Sequence, residues 1–256
     1  MKKKILLLCF IIFSISSFAM KEIKIRVSDY RPNYYQDESG KWTGIDVELA
    51  RALVEDAGYK PVFLARPWSR ALKQMENGKL DLMMNLSKTD DRAKYMQWIG
   101  PERLSQIALV IKKNDSELKI KNIKQLVKIA KERNLRIGIQ DNVFYSKEFN
   151  KRLENDKNFA SNFEKIVKVE LNSRKTKRGR IFGFFEEKLS MVSNVKNNKE
   201  YKGLAVHDFV LSEEAVFFGV SKESNKTKNF YTDLNKAYKK LKRNGTFDKI
   251  IKGYTR

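Results

Sequence analysis

The sequence is poor in the residues that usually carry covalent and metal chemistry, with one cysteine and one histidine among 256 residues. Any Ser-His-Asp triad or histidine metal cluster would have to include His207, and no metal-ligand spacing accompanies it. Gly179, Gly183 and Gly203 do not form the glycine pattern of a phosphate-binding loop. We therefore expect no catalytic residue, no metal and no cofactor.

Long apolar runs are also missing, except at the amino terminus. Lys2–Lys4 precede an apolar run from Ile5 to Ile15, and small residues follow it. This run is shorter than the roughly 20 residues that a membrane-spanning helix needs. The pattern is typical of a secretory signal peptide, and Ser17 and Ala19 predict cleavage after Ala19, with residues 1–19 removed.

The single cysteine, Cys9, lies within this segment. An alternative interpretation makes it the lipid-modified cysteine of a lipoprotein, but Leu8 stands where a small residue is needed. Cleavage after Ala19 removes Cys9, so the mature chain has neither a disulfide nor a thiol nucleophile. Without a lipid anchor the protein would diffuse away from a cell that lacks an outer membrane, so we expect a periplasmic location.

Acidic residues are scarce, with 31 against 53 basic ones and a net charge of +22. Loss of Lys2–Lys4 lowers this charge to +19. Such a balance can indicate a nucleic acid or anionic lipid partner. However, the lysines are scattered along the whole chain, and the densest segment, Arg174–Arg178, is typical of a solvated helix face or loop. We expect a monomer that binds no nucleic acid.

The remaining composition is that of a globular protein, with 41% hydrophobic and 11% aromatic residues. Short apolar strands alternate with amphipathic helices, which predicts an α/β protein whose sheets are covered by helices. Predicted strands are 23–27, 61–64, 80–86, 106–112, 135–139, 165–171 and 215–220. Predicted helices are 45–57, 69–77, 90–95, 123–133, 146–155, 224–242 and 246–253. The length allows two lobes, and the absence of a Pro-rich or Gly/Ser linker indicates that strands join them.

Several motifs occur in the order and spacing of a known family. They are the strand at 23–27 with Tyr30 and Pro32, the segment 40–50, the segments 67–72 and 77–81, the segment 87–95 with Pro101, and the closing segment 241–250. Together they resemble the bacterial extracellular solute-binding proteins of family 3, which serve polar amino acid ABC transporters. The likeness covers residues 21–112 and 214–256, and the middle third matches only loosely.

This resemblance implies a type II periplasmic binding fold, in which two mixed sheets flanked by helices form two lobes joined by two hinge strands. Lobe 1 would comprise residues 20–108 and 219–256, and lobe 2 residues 109–218, with crossings near Leu109 and Phe217. The implied function is capture of a small amino-acid-like or carboxylate ligand between the lobes. The closed protein would then dock on a membrane ABC permease.

Arg92 is the strongest candidate for ligand contact. Thr89 can cap a short helix that follows a buried strand, and free N–H groups at a helix start favour an anion. A planar guanidinium holds a carboxylate through two parallel hydrogen bonds. The resemblance implies that Arg92 binds the α-carboxylate with help from Ser87 and Thr89. The alternative is an ordinary ion pair with Asp90, Asp91 or another carboxylate.

Tyr30 and Trp68 follow strand ends, where loops face the crevice of an open sheet. Aromatic rings there can enclose an apolar group or attract an ammonium group. We predict both as walls of the site. Arg70 is a further candidate, whereas Tyr34 and Tyr35 fit the core or the site equally well. 

A carboxylate is expected in lobe 2, because an unpaired ammonium in a closed cleft is costly. The segment 178–187 resembles the family's strand that ends in an aspartate, so the resemblance implies Glu187 in that place and Phe182 in place of another acidic residue. The family's glycine-bearing turn corresponds to 140–146, but the glycine is absent. Both departures weaken the case for a standard α-amino acid.

Two other functions remain open. The same fold hosts dehydratases of small carboxylates, in which Glu187 with a raised pKa would act as general acid. A ligand sensor for a membrane receptor would differ from a transport protein only in its partner. The chain has no second apolar stretch and no fused kinase, which favours transport.

Overall fold

The computed structural model describes residues 20–166, 169–224, 226 and 229–255. The predicted signal peptide and Cys9 lie outside the described residues. The strands are β1 (Glu22–Val27), β2 (Tyr35–Gln36), β3 (Trp42–Thr43), β4 (Lys60–Ala65), β5 (Leu82–Leu86), β6 (Met96–Lys112), β7 (Ile137–Gln140), β8 (Phe163–Ile166), β9 (Gly183–Glu187) and β10 (Leu204–Ser221). The helices are α1 (Ile45–Asp56), α2 (Trp68–Glu76), α3 (Asp90–Ala93), α4 (Ile123–Glu132), α5 (Lys147–Asn155), α6 (Lys157–Ala160), α7 (Val169–Lys177), α8 (Lys188–Asn197), α9 (Phe230–Arg243) and α10 (Thr246–Thr255).

Eight strands form one mixed sheet in the order β4-β1-β5-β10-β6-β9-β7-β8, and β2 and β3 form a separate ribbon. β1 lies parallel to β4 and β5, and β7 lies parallel to β8 and β9. β10 and β6 are antiparallel to each other and to the outer strands. The α/β class is therefore confirmed. The two expected sheets are the halves of one sheet, because β6 and β10 run through both.

The long strands β6 and β10 connect the two lobes. They pair from Met96 opposite Ser221 to Lys112 opposite Leu204. By Ile107–Ile111, β6 already pairs with β9 of the second lobe. The predicted lobe boundaries stay a prediction, and these pairings favour crossings near Leu104 and its partner Ala215, slightly before Leu109 and Phe217.

Each lobe has its own apolar core. In lobe 1, α1, α9 and α10 bury side chains against the sheet, and Ile45, Leu49 and Leu53 on one face of α1 are fully buried. In lobe 2, Phe149 makes edge-to-face contacts with Phe159, Phe163 and Phe185. These separate cores allow the lobes to move as bodies about the connecting strands.

The strand predicted for 165–171 is wrong beyond Ile166, because a helix, α7, begins at Val169. This helix buries polar residues, Asn172, Ser173 and Thr176, while Leu171 is exposed. Its buried face therefore lacks the apolar period by which a helix is recognised in a sequence. Helix α8 also escaped prediction, and α9 begins at Phe230, not at 224.

Candidate functional site

A cavity of about 670 Å³ lies between the two lobes. Its lobe 1 wall comes from the loops that follow the parallel strands β1, β4 and β5. Its lobe 2 wall comes from the carboxyl ends of β7 and β9 and from the first turn of α7. Loops at the carboxyl ends of parallel strands are the usual ligand site of open α/β sheets.

Arg92 lines this cavity and is 7% exposed. The Oγ1 atom of Thr89 accepts a hydrogen bond from Arg92 N, as the capping pattern predicts. The guanidinium donates to Ser87 O at 3.0 Å and, across the cleft, to Asn142 O at 3.3 Å. Burial lowers the pKa of Arg92. Because α3 has only four residues, the guanidinium itself must supply most of the positive potential.

Arg92 does not pair with a neighbouring acidic residue among the described residues, in contrast to the alternative interpretation. Asp91 pairs with Lys94 at 2.6 Å. Within the described ranges, Arg92 has no carboxylate within ion-pair distance. Its charge is thus held in place by carbonyl oxygens and left without a counter-charge.

Arg26 is a cavity residue that sequence reasoning missed. It is 6% exposed and donates to Tyr34 Oη at 2.7 Å, Ser28 Oγ at 2.9 Å and Arg66 O at 3.1 Å. The sequence feature that could have indicated Arg26 is its position near the carboxyl end of β1, where loops face the site. The side chain is buried there although Lys24, two residues earlier, is exposed.

Trp68 lies between these two arginines and the second lobe. The guanidinium carbons of Arg26 and Arg92 lie 5.3 and 5.6 Å from its ring. Its Nε1 atom donates to Asn142 O at 3.1 Å across the cleft. Asn142 has φ 58°, so it adopts the left-handed conformation that the expected glycine would supply.

Tyr30 also lines the cavity, and its hydroxyl donates to Glu186 Oε1 at 2.6 Å. Tyr34 is buried beside it, with the ring centroids 5.5 Å apart. Tyr35 instead packs against Arg31, with 4.1 Å between the guanidinium carbon and the ring centroid.

Two predicted site residues do not line the cavity. Arg70 is exposed, and it is absent from the residues that line the cavity. Thr89 is likewise outside the lining and acts through its cap.

Glu187 is bound on both oxygens by protein groups. Oε1 accepts from Arg103 Nη1 at 3.2 Å, and Oε2 accepts from Ser190 N at 2.7 Å and Asn33 Nδ2 at 3.3 Å. The role of ammonium ligand stays a prediction for Glu187, but these bonds favour its neighbour Glu186. Phe182 is buried in the lobe 2 core and lies outside the cavity lining.

Glu186 is 7% exposed and lines the cavity. Burial raises its pKa to about 7, although hydrogen bonds from the Tyr30 hydroxyl and the Glu187 backbone oppose this shift. The carboxyl group can therefore gain or lose a proton near neutral pH, in a place that a bound solute would contact.

Arg103 joins three parts of the fold in one buried ionic cluster. Its Nε and Nη2 atoms donate to Asp46 of α1 at 2.8 and 3.2 Å, and Nη1 reaches Glu187. Burial alone would lower the pKa of Arg103, but the charges of Asp46 and Glu187 raise it. Glu102 beside it has a pKa well above its ordinary value, because it is buried and faces Asp46.

His207 has a structural place. It is 5% exposed, its Nδ1 atom accepts from Phe209 N at 2.9 Å, and Nε2 lies 2.8 Å from Leu118 O. Since Nδ1 accepts, Nε2 carries the proton and donates to the carbonyl. His207 is also absent from the residues that line the cavity.

Residues 23–256 match the family described as bacterial extracellular solute-binding proteins, family 3. The arginine-binding extracellular protein ArtP of Bacillus subtilis is 24% identical over 232 residues, which cover 88% of this chain and 82% of ArtP. An ancestral arginine-binding protein bound to arginine superposes with a TM-score of 0.74 at 22% identity, covering 93% of this chain and 100% of that one.

A second solved structure shares the fold. The ancestral amino acid-binding protein AncCDT-1, described as a precursor of cyclohexadienyl dehydratase, superposes with a TM-score of 0.71 at 20% identity, covering 92% of this chain and 96% of that one. At such identities these structures establish the fold. The predicted type II periplasmic binding fold is therefore confirmed.

Proposed function

This chain belongs to the bacterial extracellular solute-binding proteins of family 3, and from that premise we propose that it captures a small amino-acid-like carboxylate between its lobes. The observation that carries the proposal is the buried guanidinium of Arg92, which faces the cavity and has no carboxylate partner among the described residues. A buried charge without a counter-charge is costly. A ligand carboxylate removes that cost, with two parallel hydrogen bonds to the guanidinium.

The ligand's ammonium group, where it has one, contacts Glu186. Its carboxyl group lines the cavity and is oriented by the Tyr30 hydroxyl at 2.6 Å. An approaching cation favours the ionised form of Glu186, so binding releases a proton near pH 7, where the pKa of the empty site lies. Glu187, engaged by Arg103, contributes by joining the lobes.

Closure of the lobes completes the site. Several hydrogen bonds between described residues cross the cleft, from Tyr30 to Glu186, from Asn33 to Glu187, from Trp68 and Arg92 to Asn142 O, and from Asn142 to Ser69. A ligand that touches both walls binds the closed form better than an open one and so shifts the equilibrium towards closure. The connecting strands β6 and β10 supply the hinge.

After removal of residues 1–19, the protein is located in the periplasm. There the closed form delivers its ligand to an ABC permease in the membrane. Family membership supports an extracellular or periplasmic location. In the part of the chain that the structure describes, no helix has the length and apolarity to cross a bilayer. The protein acts as a monomer and binds no nucleic acid.

We propose that the protein binds its ligand without turnover. The second candidate function is that of a dehydratase. The observation that favours the enzyme is the pKa of Glu186 near 7, which suits a general acid. Incubation with a prephenate-like acid separates the two functions. Product that forms in the wild type and disappears in Glu186→Gln would support the enzyme, and no product supports the binding protein.

The experiment for the binding function is isothermal titration calorimetry of the mature protein with a panel of amino acids and small carboxylates. Variant Arg92→Gln should bind every ligand at least about tenfold more weakly, because a charge-assisted pair is lost. Variant Arg243→Gln, on the exposed face of α9, removes the same charge far from the cavity and should bind as the wild type does. Equal affinities for wild type and Arg92→Gln would contradict the proposal.

A further inference from the structure

The cavity contains two buried arginines, and only one of them is used by the carboxylate of an ordinary amino acid. Arg26 and Arg92 are 6% and 7% exposed, and both line the cavity. The hydrogen-bond acceptors of Arg26 are a tyrosine hydroxyl, a serine hydroxyl and a carbonyl, and those of Arg92 are two carbonyls. Within the described residues, neither side chain has an acidic partner.

The other cations near the cleft are neutralised or solvated. Arg103 pairs with Asp46 and Glu187. Arg66 also lines the cavity but is partly exposed, so water can solvate it. Among the arginines that line the cavity, Arg26 and Arg92 are therefore the buried ones without an acidic partner in the described residues, and a buried charge of this kind requires a counter-charge.

Both guanidinium groups have donors left for a ligand. A guanidinium has five N–H groups. Three protein acceptors bind Arg26 and two bind Arg92. Two N–H groups of Arg26 and three of Arg92 thus have no protein acceptor among the described residues. Carboxylate oxygens match this planar array of donors.

The two groups are close enough for one small molecule to reach. Their guanidinium carbons lie 5.3 and 5.6 Å from the same Trp68 ring centroid, so they are less than about 11 Å apart. The cavity of about 670 Å³ is within the range of small-molecule sites. A short carbon chain with an anionic group at each end can therefore contact both arginines together.

We propose that the ligand carries two carboxylate groups, one bound by Arg92 and the other by Arg26. This inference rests on the proposed binding function and narrows its ligand class to small dicarboxylic solutes, such as an acidic amino acid or the corresponding diacid. Arg26 is then the residue that determines specificity. A ligand ammonium group, where present, contacts Glu186 on the facing wall.

Calorimetric titration with three probes of similar size tests this inference. The probes are L-glutamate, L-glutamine, whose side chain is uncharged, and glutarate, which lacks the ammonium group. The wild type should bind L-glutamate at least about tenfold more tightly than L-glutamine, the effect of one charge-assisted pair. Variant Arg26→Gln should lose this preference. Variant Arg26→Lys should keep part of it, because lysine retains the charge without the planar donor array.

A purely structural role of Arg26 would give a different result. Arg26 also holds Tyr34, Ser28 and the Arg66 carbonyl, so circular dichroism must show that each variant is folded. If Arg26→Gln is folded and lowers the affinity for both amino acids equally, the inference is wrong. Should Arg26→Gln not fold, the titration is decided by Arg26→Lys and by the wild-type ratio alone.

The outcomes separate this inference from the proposed function. Tighter binding of L-glutamine than of L-glutamate, with Arg92→Gln still defective, would overturn the dicarboxylate ligand and leave the binding function intact. Failure of L-glutamate and glutarate to bind, while another amino acid of the calorimetric panel binds and depends on Arg92, would likewise overturn the dicarboxylate ligand alone. Equal affinities in Arg92→Gln and wild type across the panel would contradict the binding function itself. Glutarate keeps both carboxylates, so its affinity should fall in Arg26→Gln, and an unchanged affinity would contradict the inference.

Discussion

Arg103 Nη1 donates to Glu187 Oε1 at 3.2 Å, which joins the lobe 1 part of the hinge strand β6 to the last residue of β9 in lobe 2. The two residues are 5% and 6% exposed at their side chains, and Asp46 holds the same guanidinium at 2.8 Å. The contact lies where the strands cross between the lobes. The stability of the hinge therefore depends on the pairing of one buried guanidinium with two buried carboxylates.

Replacing Arg103 with leucine should lower the free energy of unfolding by about 3–5 kcal/mol, because it leaves buried carboxylates without their cation. The double variant Arg103→Leu/Glu187→Gln should lose less than the two single losses together, since it also removes one of those carboxylates. Urea unfolding of the four proteins measures both effects. Strict additivity would show that the pair does not interact.

Replacing Glu186 with glutamine should change how stability depends on pH. The pKa of Glu186 is raised from 4.5 to about 7, mainly by burial. The folded state therefore keeps a proton that the unfolded chain releases, and the wild type loses stability as pH rises from about 4.5 through about 7. This pKa shift corresponds to a loss of ~3 kcal/mol in the free energy of unfolding.

Variant Glu186→Gln has no such proton to lose and keeps an oxygen for Tyr30 and the Glu187 N–H. It should exceed the wild type in stability at pH 8 and match it near pH 4. Thermal unfolding across this range is the measurement, with Glu148→Gln on the exposed face of α5 as control. A pH-independent difference between Glu186→Gln and wild type would contradict the assignment of this pKa.

Tryptophan fluorescence should report ligand binding through the cavity. The chain has three tryptophans, of which Trp42 and Trp68 line the cavity, whereas Trp98 packs against Phe217 outside it. Trp68→Phe removes the Nε1 donor to Asn142 O, which should weaken binding about threefold to tenfold and shrink the fluorescence change. Trp98→Phe should keep both the affinity and most of the change. Loss of the signal in Trp98→Phe would argue against this cavity as the ligand site.

Gly44 should resist substitution. It has φ 118°, and a Cβ atom there would lie 2.5 Å from Asn33 O and 2.7 Å from Pro32 O. Gly44→Ala should therefore lower the free energy of unfolding by more than about 1 kcal/mol. It should also weaken ligand binding, because the loop that it supports carries Tyr30 and Asn33, which contact lobe 2.

Gly253→Ala is the matched control for this substitution. Gly253 lies within α10, and a Cβ atom there would meet no atom within 4 Å. Alanine should stabilise the helix by about 0.5–1 kcal/mol. Unfolding in urea compares the two variants, and an equal effect of both would show that close contact at Gly44 is unimportant.

Much of the lobe 1 side of the site could be predicted from the sequence. Local signals place Arg92 after a buried strand and a capping Thr89, and the structure has both features. The lobe 2 side was harder to predict, because the buried face of α7 is polar and Asn142 stands in place of the expected glycine. Arg26 escaped prediction because the pattern of β1 alone does not distinguish a solvated arginine from one buried at the cleft.

The sequence by itself determined the α/β class, the order of most elements and the family, because these depend on local periodicity, caps and short motifs. Only the tertiary structure decided which groups surround Glu186 and which surround Glu187. Their partners, Tyr30 and Arg103, lie 156 and 84 residues away in the chain. Adjacent carboxylates with identical chemistry differ only in what surrounds them, and burial and distant charges set which one pairs with an arginine and which one has a raised pKa.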